Sequence, residues 1–574
     1  MNIRTALLTL AIATSPVYAQ QPAATPLQDN IKATQQNSAS AATAEQLAER
    51  MPALALLPSK LSASFTIKLG DHNYIIQSAG SVAIGTAGDL GTLLEYAHFT
   101  FLMEELAFSN PDNEQEKAVI QAMEENLRQL IDSAAPLSIE PIYIATVLEG
   151  DRAEIAVADF EEGMVMLAKQ SVSLEERPDG WKDLAIDLYG EAVSGGESEK
   201  MRQWMRPMFE GVRIHICYRV EGKVIRICIC TDPTRMQWPT GIADSRLSDP
   251  IVQNSLPDGH CAAALQMSKD TLASLSRGIN SVATLYDQTG STEEATDMLR
   301  LASGLFNLLS CEDLSIGLTD QGRDGQVRIN FGLKGINFRP GQLNLPKAAE
   351  QDDTFLCVAA GPMSINSEGL DQNIAAAIGT MSEGFSLIGM TQAGAPAAAL
   401  SLNILDAPAF SRICKQITGQ DFDLSKAIRW QVTPELTLTG KLDGQKFVLS
   451  SHDAGAAALT TDVTGIDAYS GAVFTFKPGA LGELLTAFDN NMVSTIGYLL
   501  GDLSETAESV TGTLCDRDGK LTLNISFKGS EMPLPTVDIR PNPALEPMDD
   551  APADEETSPD EYEEETVTTE EIDD

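Results

Sequence analysis

Residues 507–529, AESVTGTLCDRDGKLTLNISFKG, alternate apolar and polar positions, break at Asp518-Gly519 and then resume. Asp-Gly between alternating runs marks a β-hairpin with a two-residue loop, because the central positions favour φ > 0 and glycine adopts it without strain. Such a loop sets Val510 opposite Phe527, Gly512 opposite Ile525 and Leu514 opposite Leu523. One face of the hairpin is then apolar and the other polar, as an antiparallel sheet with one solvated side requires.

Three further breaks have the same form, at Glu221-Gly222, Asp324-Gly325 and Asp443-Gly444. Two-residue loops there predict that Ile214 faces Ile229, that His215 pairs with Cys228, and that Ile316 and Leu318 face Leu333 and Phe331. The breaks fall into two pairs. CEDLSIGLTDQGRDGQVRINFGLKG (311–335) and the opening stretch both carry Asp-Gly and both close on Lys-Gly, and VRIHICYRVEGKVIRICIC (212–230) and LTLTGKLDGQKFVLSS (436–451) precede them. Between these hairpins lie a strand, DGHCAAALQMS (258–268) or YSGAVFTFKP (469–478), and a long helical region. PIYIATVLEG (141–150) and APAAALSLNIL (395–405) match more weakly.

The expected fold class is therefore α+β, with two related halves from a tandem duplication, each an antiparallel sheet of hairpins packed by helices. The expected domains are a first half at 54–340 and a second at 354–530. Pro340, Gly341 and Pro346 mark a linker at 341–353 between them. Ser268 opens one helix, Ser291-Thr-Glu-Glu offers a capping box for the next, and Leu299, Leu301, Leu305, Leu308 and Leu309 give that helix an apolar stripe expected to face the core. Leu481, Leu484, Leu485, Phe488 and Met492 repeat the theme in the second half.

The ends carry different messages. Met1–Ala19, with Arg4, a short apolar run and Val17-Tyr18-Ala19, reads as a signal peptide, and the first cysteine is Cys217, so a lipid-modified cysteine at the cleavage point is not expected. Residues 20–53 read as a flexible linker with a short helix near 41–51, and 531–574 as an acidic disordered tail. The net charge is −43, of which residues 541–574 supply fifteen acids and no base. Such a surface repels phosphate backbones, so no nucleic-acid partner is expected. No apolar run reaches membrane-spanning length, and the most apolar helix candidate, 89–107, holds Glu95, Glu104 and Glu105. The expected location is the periplasm or outside the cell.

Residues capable of chemistry gather on the hairpin around Glu221-Gly222, where Arg213, His215, Cys217 and Arg219 share a face with Arg226, Cys228 and Cys230. His215, Cys217, Cys228 and Cys230 are candidate ligands for zinc or copper, since imidazole and thiolate suit both ions. Three arginines and the absence of CxxC spacing oppose that reading. A Cys217–Cys228 disulfide and buried free thiols are the alternatives. The remaining cysteines, Cys261, Cys311, Cys357, Cys414 and Cys515, are read as buried thiols. Asp320, Gly322 and Asp324, and again Asp516 and Asp518, resemble parts of a calcium loop, yet Phe331 stands where the loop needs an acid. His72 and His452 fall at turns and His98 in a helix. No enzyme motif is present, and no cofactor is expected. The expectation is an exported, noncatalytic binding or structural protein of the bacterial cell envelope, its partner a protein, a glycan or an apolar ligand. The alternatives are a periplasmic carrier of an apolar ligand such as a lipid, and a hydrolase with an acidic site that no motif marks.

Overall fold

The alternating runs become strands of one antiparallel sheet. A computed structural model describes residues 43–529 apart from interruptions, the longest being 71–77, 109–116, 129–135 and 366–382. The signal-peptide and acidic-tail readings, and most of the 20–53 linker reading, lie outside the described residues.

In chain order the strands are β1 (Ala63–Leu69), β2 (Ala79–Thr86), β3 (Ile142–Glu149), β4 (Ser173–Glu176), β5 (Lys182–Asp187), β6 (Arg213–Glu221), β7 (Val224–Cys230), β8 (Cys261–Met267), β9 (Leu314–Thr319) and β10 (Gly325–Phe331). They continue as β11 (Ile336–Phe338), β12 (Gly341–Pro346), β13 (Thr354–Ala360), β14 (Met363–Ile365), β15 (Phe385–Gln392), β16 (Ala395–Asn403), β17 (Ile428–Gln431), β18 (Thr437–Asp443), β19 (Lys446–Ser450), β20 (Val463–Tyr469), β21 (Gly471–Phe476), β22 (Ser509–Arg517) and β23 (Lys520–Lys528). Nineteen of them join one sheet, with β11–β14 and β12–β20 as separate pairs.

The sheet has a seam where β10 pairs with β23. Outward from it the first arm runs β10, β9, β8, β1, β2, β3, β7, β6, β5, β4. The second arm runs β23, β22, β21, β13, β15, β16, β19, β18, β17. The two lists follow the same order of connection, and only β4 lacks a counterpart. Because the seam is continuous, both halves belong to one compact unit, which ends at Ser530.

Helices fill the crossovers. The ones that bear on the site and the seam are α1 (Ala44–Arg50), α2 (Leu90–Phe108), α3 (Ala153–Ser171), α4 (Lys269–Gln288), α5 (Glu293–Leu309), α6 (Ala407–Thr418), α7 (Pro478–Thr486) and α8 (Asn491–Ser504). The α4–α5 pair connects β8 to β9, and the α7–α8 pair connects β21 to β22. Ser268 Oγ accepts the Thr271 N–H at the start of α4, as its sequence predicted. Ser276 and Ser303 tie α4 to α5 through reciprocal bonds to each other's carbonyls, 2.9 and 2.8 Å. The α5 stripe departs from expectation: Leu301 and Leu305 are 61% and 53% exposed, with Met298 beside them at 62%. Packing against α4 engages the serine-bearing side of α5, which leaves those apolar side chains to solvent.

Two segments read as linker are structured. Thr43 caps α1 through a capping box with Gln46, and Leu47, Met51, Leu54 and Leu57 are fully buried in the first-half core, so 43–57 is anchored. Residues 341–346 form β12, which pairs with β20 and buries Leu343 and Leu345 in the second-half core. In both cases a few apolar side chains find a groove, which local composition does not report.

The hairpin registers divide likewise. At β22–β23, Val510 faces Phe527, Gly512 faces Ile525 and Leu514 faces Leu523, as read, and the ladder closes with Arg517 opposite Lys520. At β6–β7 the ladder closes with Glu221 opposite Val224, and at β18–β19 with Asp443 opposite Lys446. The loops there are Gly222-Lys223 and Gly444-Gln445. The acidic residue is the last strand position, and the glycine after it takes the positive φ, +62° and +61°. This moves each register by two residues and keeps the faces. At β9–β10, Ile316 faces Ile329 and Leu318 faces Val327, in place of Leu333 and Phe331. The ladder pair at the turn is Thr319 with Gln326, so the connection is longer than two residues, and past the other end of β10 the Lys334 N–H bonds to the Leu308 carbonyl. Residues 320–324 lie outside the described set.

Candidate functional site

The register of β5, β6, β7 and β3 lays chemistry-bearing residues in rows on one face of the first arm. One row reads Asp183, Cys217, Cys228, Tyr143, and the next places Ala185, His215 and Cys230 side by side. His215 therefore pairs with Cys230 and not with Cys228, while Cys217 stands directly opposite Cys228. Asp183 holds the imidazole: its carboxylate oxygens lie 3.0 and 3.2 Å from His215 Nδ1.

The third row carries Arg219 and Arg226, which both reach Glu221, at 2.5 and 3.2 Å. Their charge is partly offset by that one carboxylate, which the sequence reading missed because it assigned Glu221 to the turn. As a strand residue, Glu221 shares the face of Arg219.

A loop over 231–248 closes this face. Asp232 starts it by accepting the Thr234 N–H, and Arg246 ends it, 1% exposed, bonded to Ser64 Oγ, the Ser59 carbonyl and Asp249. Between these anchors Trp238 stacks on Trp181 with ring centroids 5.5 Å apart and meets Tyr143 edge-on at 5.1 Å. Arg226 lies 5.8 Å from the Trp238 ring. The Tyr143 hydroxyl accepts the Gln237 N–H at 3.0 Å.

Under this cover Cys217, Cys228 and Cys230 are fully buried, and all three are free thiols. Burial, with the Asp183 charge beside it, pushes the Cys217 thiol up to about 12. Cys228 is raised too, first by its hydrogen bond with Cys230 and then by burial, so it keeps its proton, whereas the same hydrogen bond lowers Cys230 against the effect of its burial. A thiol held protonated is neither a nucleophile nor a metal ligand at neutral pH. Among the described residues no three His, Cys, Asp or Glu side chains converge as a metal site. The four residues named as candidate ligands are thus brought onto one face, but as a packed layer. Asp183, Trp181, Tyr143 and Trp238 belong to the same layer and were not singled out from sequence. The alternation of Trp181, Asp183 and Ala185 is the signal that could have found β5.

The other candidates sit elsewhere. Asp516 is buried, with one carboxylate oxygen accepting the Gly519 N–H at 2.9 Å and the other the Phe338 N–H at 2.7 Å, so it clamps a turn. His452 caps the helix Asp453–Thr460 by accepting the Ala454 N–H. His98 is buried in α2, and burial lowers its pKa. His72, Asp320, Gly322, Asp324 and Asp518 lie outside the described residues, as do the side chains of Cys261 and Cys414. Cys357 and Cys515 are buried, whereas Cys311 is exposed. In the second arm a polar cavity of about 90 Å³ is lined by Asn344, Glu383, Ser386, Asn403 and Lys446, room for a few waters. No family model matches the chain, and no curated protein and no solved structure matches it.

Proposed function

We propose that this chain is an exported, noncatalytic binding or structural protein of the bacterial cell envelope. The observation that carries this reading is the sealing of its most chemically capable face. The Cys217 and Cys228 thiols are held protonated, Arg219 and Arg226 are paired with Glu221, and Trp238 covers the layer. Side chains that could do chemistry are committed to packing, while apolar side chains stand out on the helical pairs: Met298, Leu301 and Leu305 on α5, Tyr498 and Leu499 on α8. Exposed apolar residues grouped on one element are the usual mark of a contact surface.

The same reading holds that the chain is a tandem duplication, and the seam supports it. Laying Asp324-Gly325…Lys334-Gly335 over Asp518-Gly519…Lys528-Gly529 makes Ile329 the counterpart of Leu523, and these two pair directly. On either side of them, Arg328 Nε donates to Asn524 Oδ1 at 3.0 Å and Thr522 Oγ1 donates to Asn330 Oδ1 at 2.9 Å. Arg328 and Thr522 are counterparts, as are Asn330 and Asn524. A self-complementary contact of this kind is what a two-fold interface between copies has.

The test is cell fractionation of the full chain, followed by sedimentation of the purified protein with isolated envelopes and assays on esters, peptides and glycans. The expected result is an exported protein lacking residues 1–19 that sediments with envelopes, less so as Leu301→Glu/Leu305→Glu, and turns over none of the substrates. Turnover abolished by a single substitution, or no retention on envelopes, overturns the proposal.

A further inference from the structure

We propose that Cys217 and Cys228 form a cross-strand disulfide in the mature protein, with Cys230 left as the free thiol of the cluster. The site is described above in its reduced form, and the inference rests on the export reading, since an oxidising compartment is where such a bond persists.

Geometry selects the pair. Directly opposite residues of antiparallel strands have Cα atoms about 4.5 to 5.5 Å apart, inside the window of roughly 4.4 to 6.8 Å that disulfides occupy. Cys217 and Cys228 are such a pair. Cys217 and Cys230 are diagonal, at about 7 to 8 Å, which is too far. Cys228 and Cys230 are two residues apart on one strand, so at about 3.3 Å per residue their parallel Cβ vectors stand well beyond the roughly 3.5 to 4.5 Å a disulfide spans.

The surroundings bear on when the bond forms and how long it lasts. Reduction of a closed bond releases a thiolate, and here that thiolate would lie fully buried beside Asp183, which disfavours it. Oxidation meets the same barrier in the folded chain, so the bond forms while the loop over 231–248 is still open. The two thiols give up two electrons and two protons to the disulfide of a dithiol oxidase: the Cys217 thiolate attacks it, and Cys228 then displaces the oxidase thiol, leaving the oxidase reduced as a dithiol.

The test isolates the full chain from its compartment, blocks thiols in denaturant with one alkylating reagent, reduces, and labels with a second. Cys217 and Cys228 are expected to carry the second label and Cys230 the first. First label on Cys217 and Cys228, in protein whose mass shows loss of residues 1–19, overturns the disulfide and leaves export standing. Protein that retains residues 1–19 in the cytoplasm overturns export. The pairing is then decided by refolding the reduced full chain in a glutathione redox buffer, where a bond other than Cys217–Cys228, or none, overturns it. A Cys217→Ala chain refolded in that buffer is expected to leave Cys228 carrying the first label.

Discussion

The β6–β7 and β18–β19 hairpins close alike and end differently. Each turns on a glycine at the first loop position, φ +62° and +61°, after an acidic strand residue. Five pairs from the turn inclusive, at the same level, the first reads Asp183, Cys217, Cys228, Tyr143 across four strands, and the second Arg429, Thr439, Ser450, Ala399. In the first row Cys217, Cys228 and Tyr143 are buried beneath Trp238; in the second, Thr439 and Arg429 are exposed. Both hairpins bury their opposite face, Tyr218 against Phe160 and Met164 of α3, and Phe447 against Phe410 of α6. The first hairpin is thus buried on both faces and the second on one. Cysteine serves the covered face as a small apolar side chain, where the open face uses threonine, lysine and aspartate.

The largest expected effect comes from alkali, which tests whether both arms hold thiols in dry surroundings. In reduced protein, Cys217 and Cys357 have folded-state pKa values of about 12 against an ordinary 9.0. A raised value contributes stability that is full below pH 9 and lost as pH climbs toward 12, about 4 kcal/mol for each when complete. Urea midpoints measured from pH 8 to 11 should fall, and Cys217→Ala or Cys357→Ala should each remove its own share of the slope.

Next come the seam prolines, which ask whether the arms are equivalent at their junction. Ile329 and Leu523 each lie between two paired strands, so Ile329→Pro and Leu523→Pro should each cost about 3 kcal/mol or more. Equal losses by urea denaturation sharpen the correspondence of the arms; very unequal ones break it.

Trp238→Ala attacks the cover itself. Losing the Trp181 stack and the Tyr143 contact from a half-buried site should cost about 2 kcal/mol. It should also admit alkylating reagents to Cys217 in the folded, reduced protein, whereas Trp430→Ala in the second arm should not.

The smallest effect is at acid pH. Burial lowers the His98 pKa below 6.5, so the unfolded chain takes up the proton first. Stability from this group is full above pH 6.5 and is lost as pH falls toward the folded value. Thermal melts from pH 7 to 5 should show the decline, and His98→Gln should reduce it.

Much of this architecture was legible. Alternation and Asp-Gly placed the β22–β23 register correctly, since turn chemistry and two-residue periodicity are local properties. The β9–β10 register was not legible, because the ladder closes at Thr319 and Gln326 and the connection is longer than the two-residue loop that Asp-Gly suggests. The candidate site was half legible: parity put His215, Cys217, Cys228 and Cys230 on one face. Asp183, Tyr143 and Trp238 come from strands and a loop that reach the hairpin only through the fold.

By itself, then, the sequence determined the hairpin strands, the β22–β23 turn and the faces of the hairpins, because these follow from side-chain alternation and from glycine's access to positive φ. Tertiary structure decided which faces are dry. Whether Cys217 is a ligand, a nucleophile or a packed thiol depends on a tryptophan twenty-one residues away in the chain and on an aspartate from another strand, and only the closed structure brings them together.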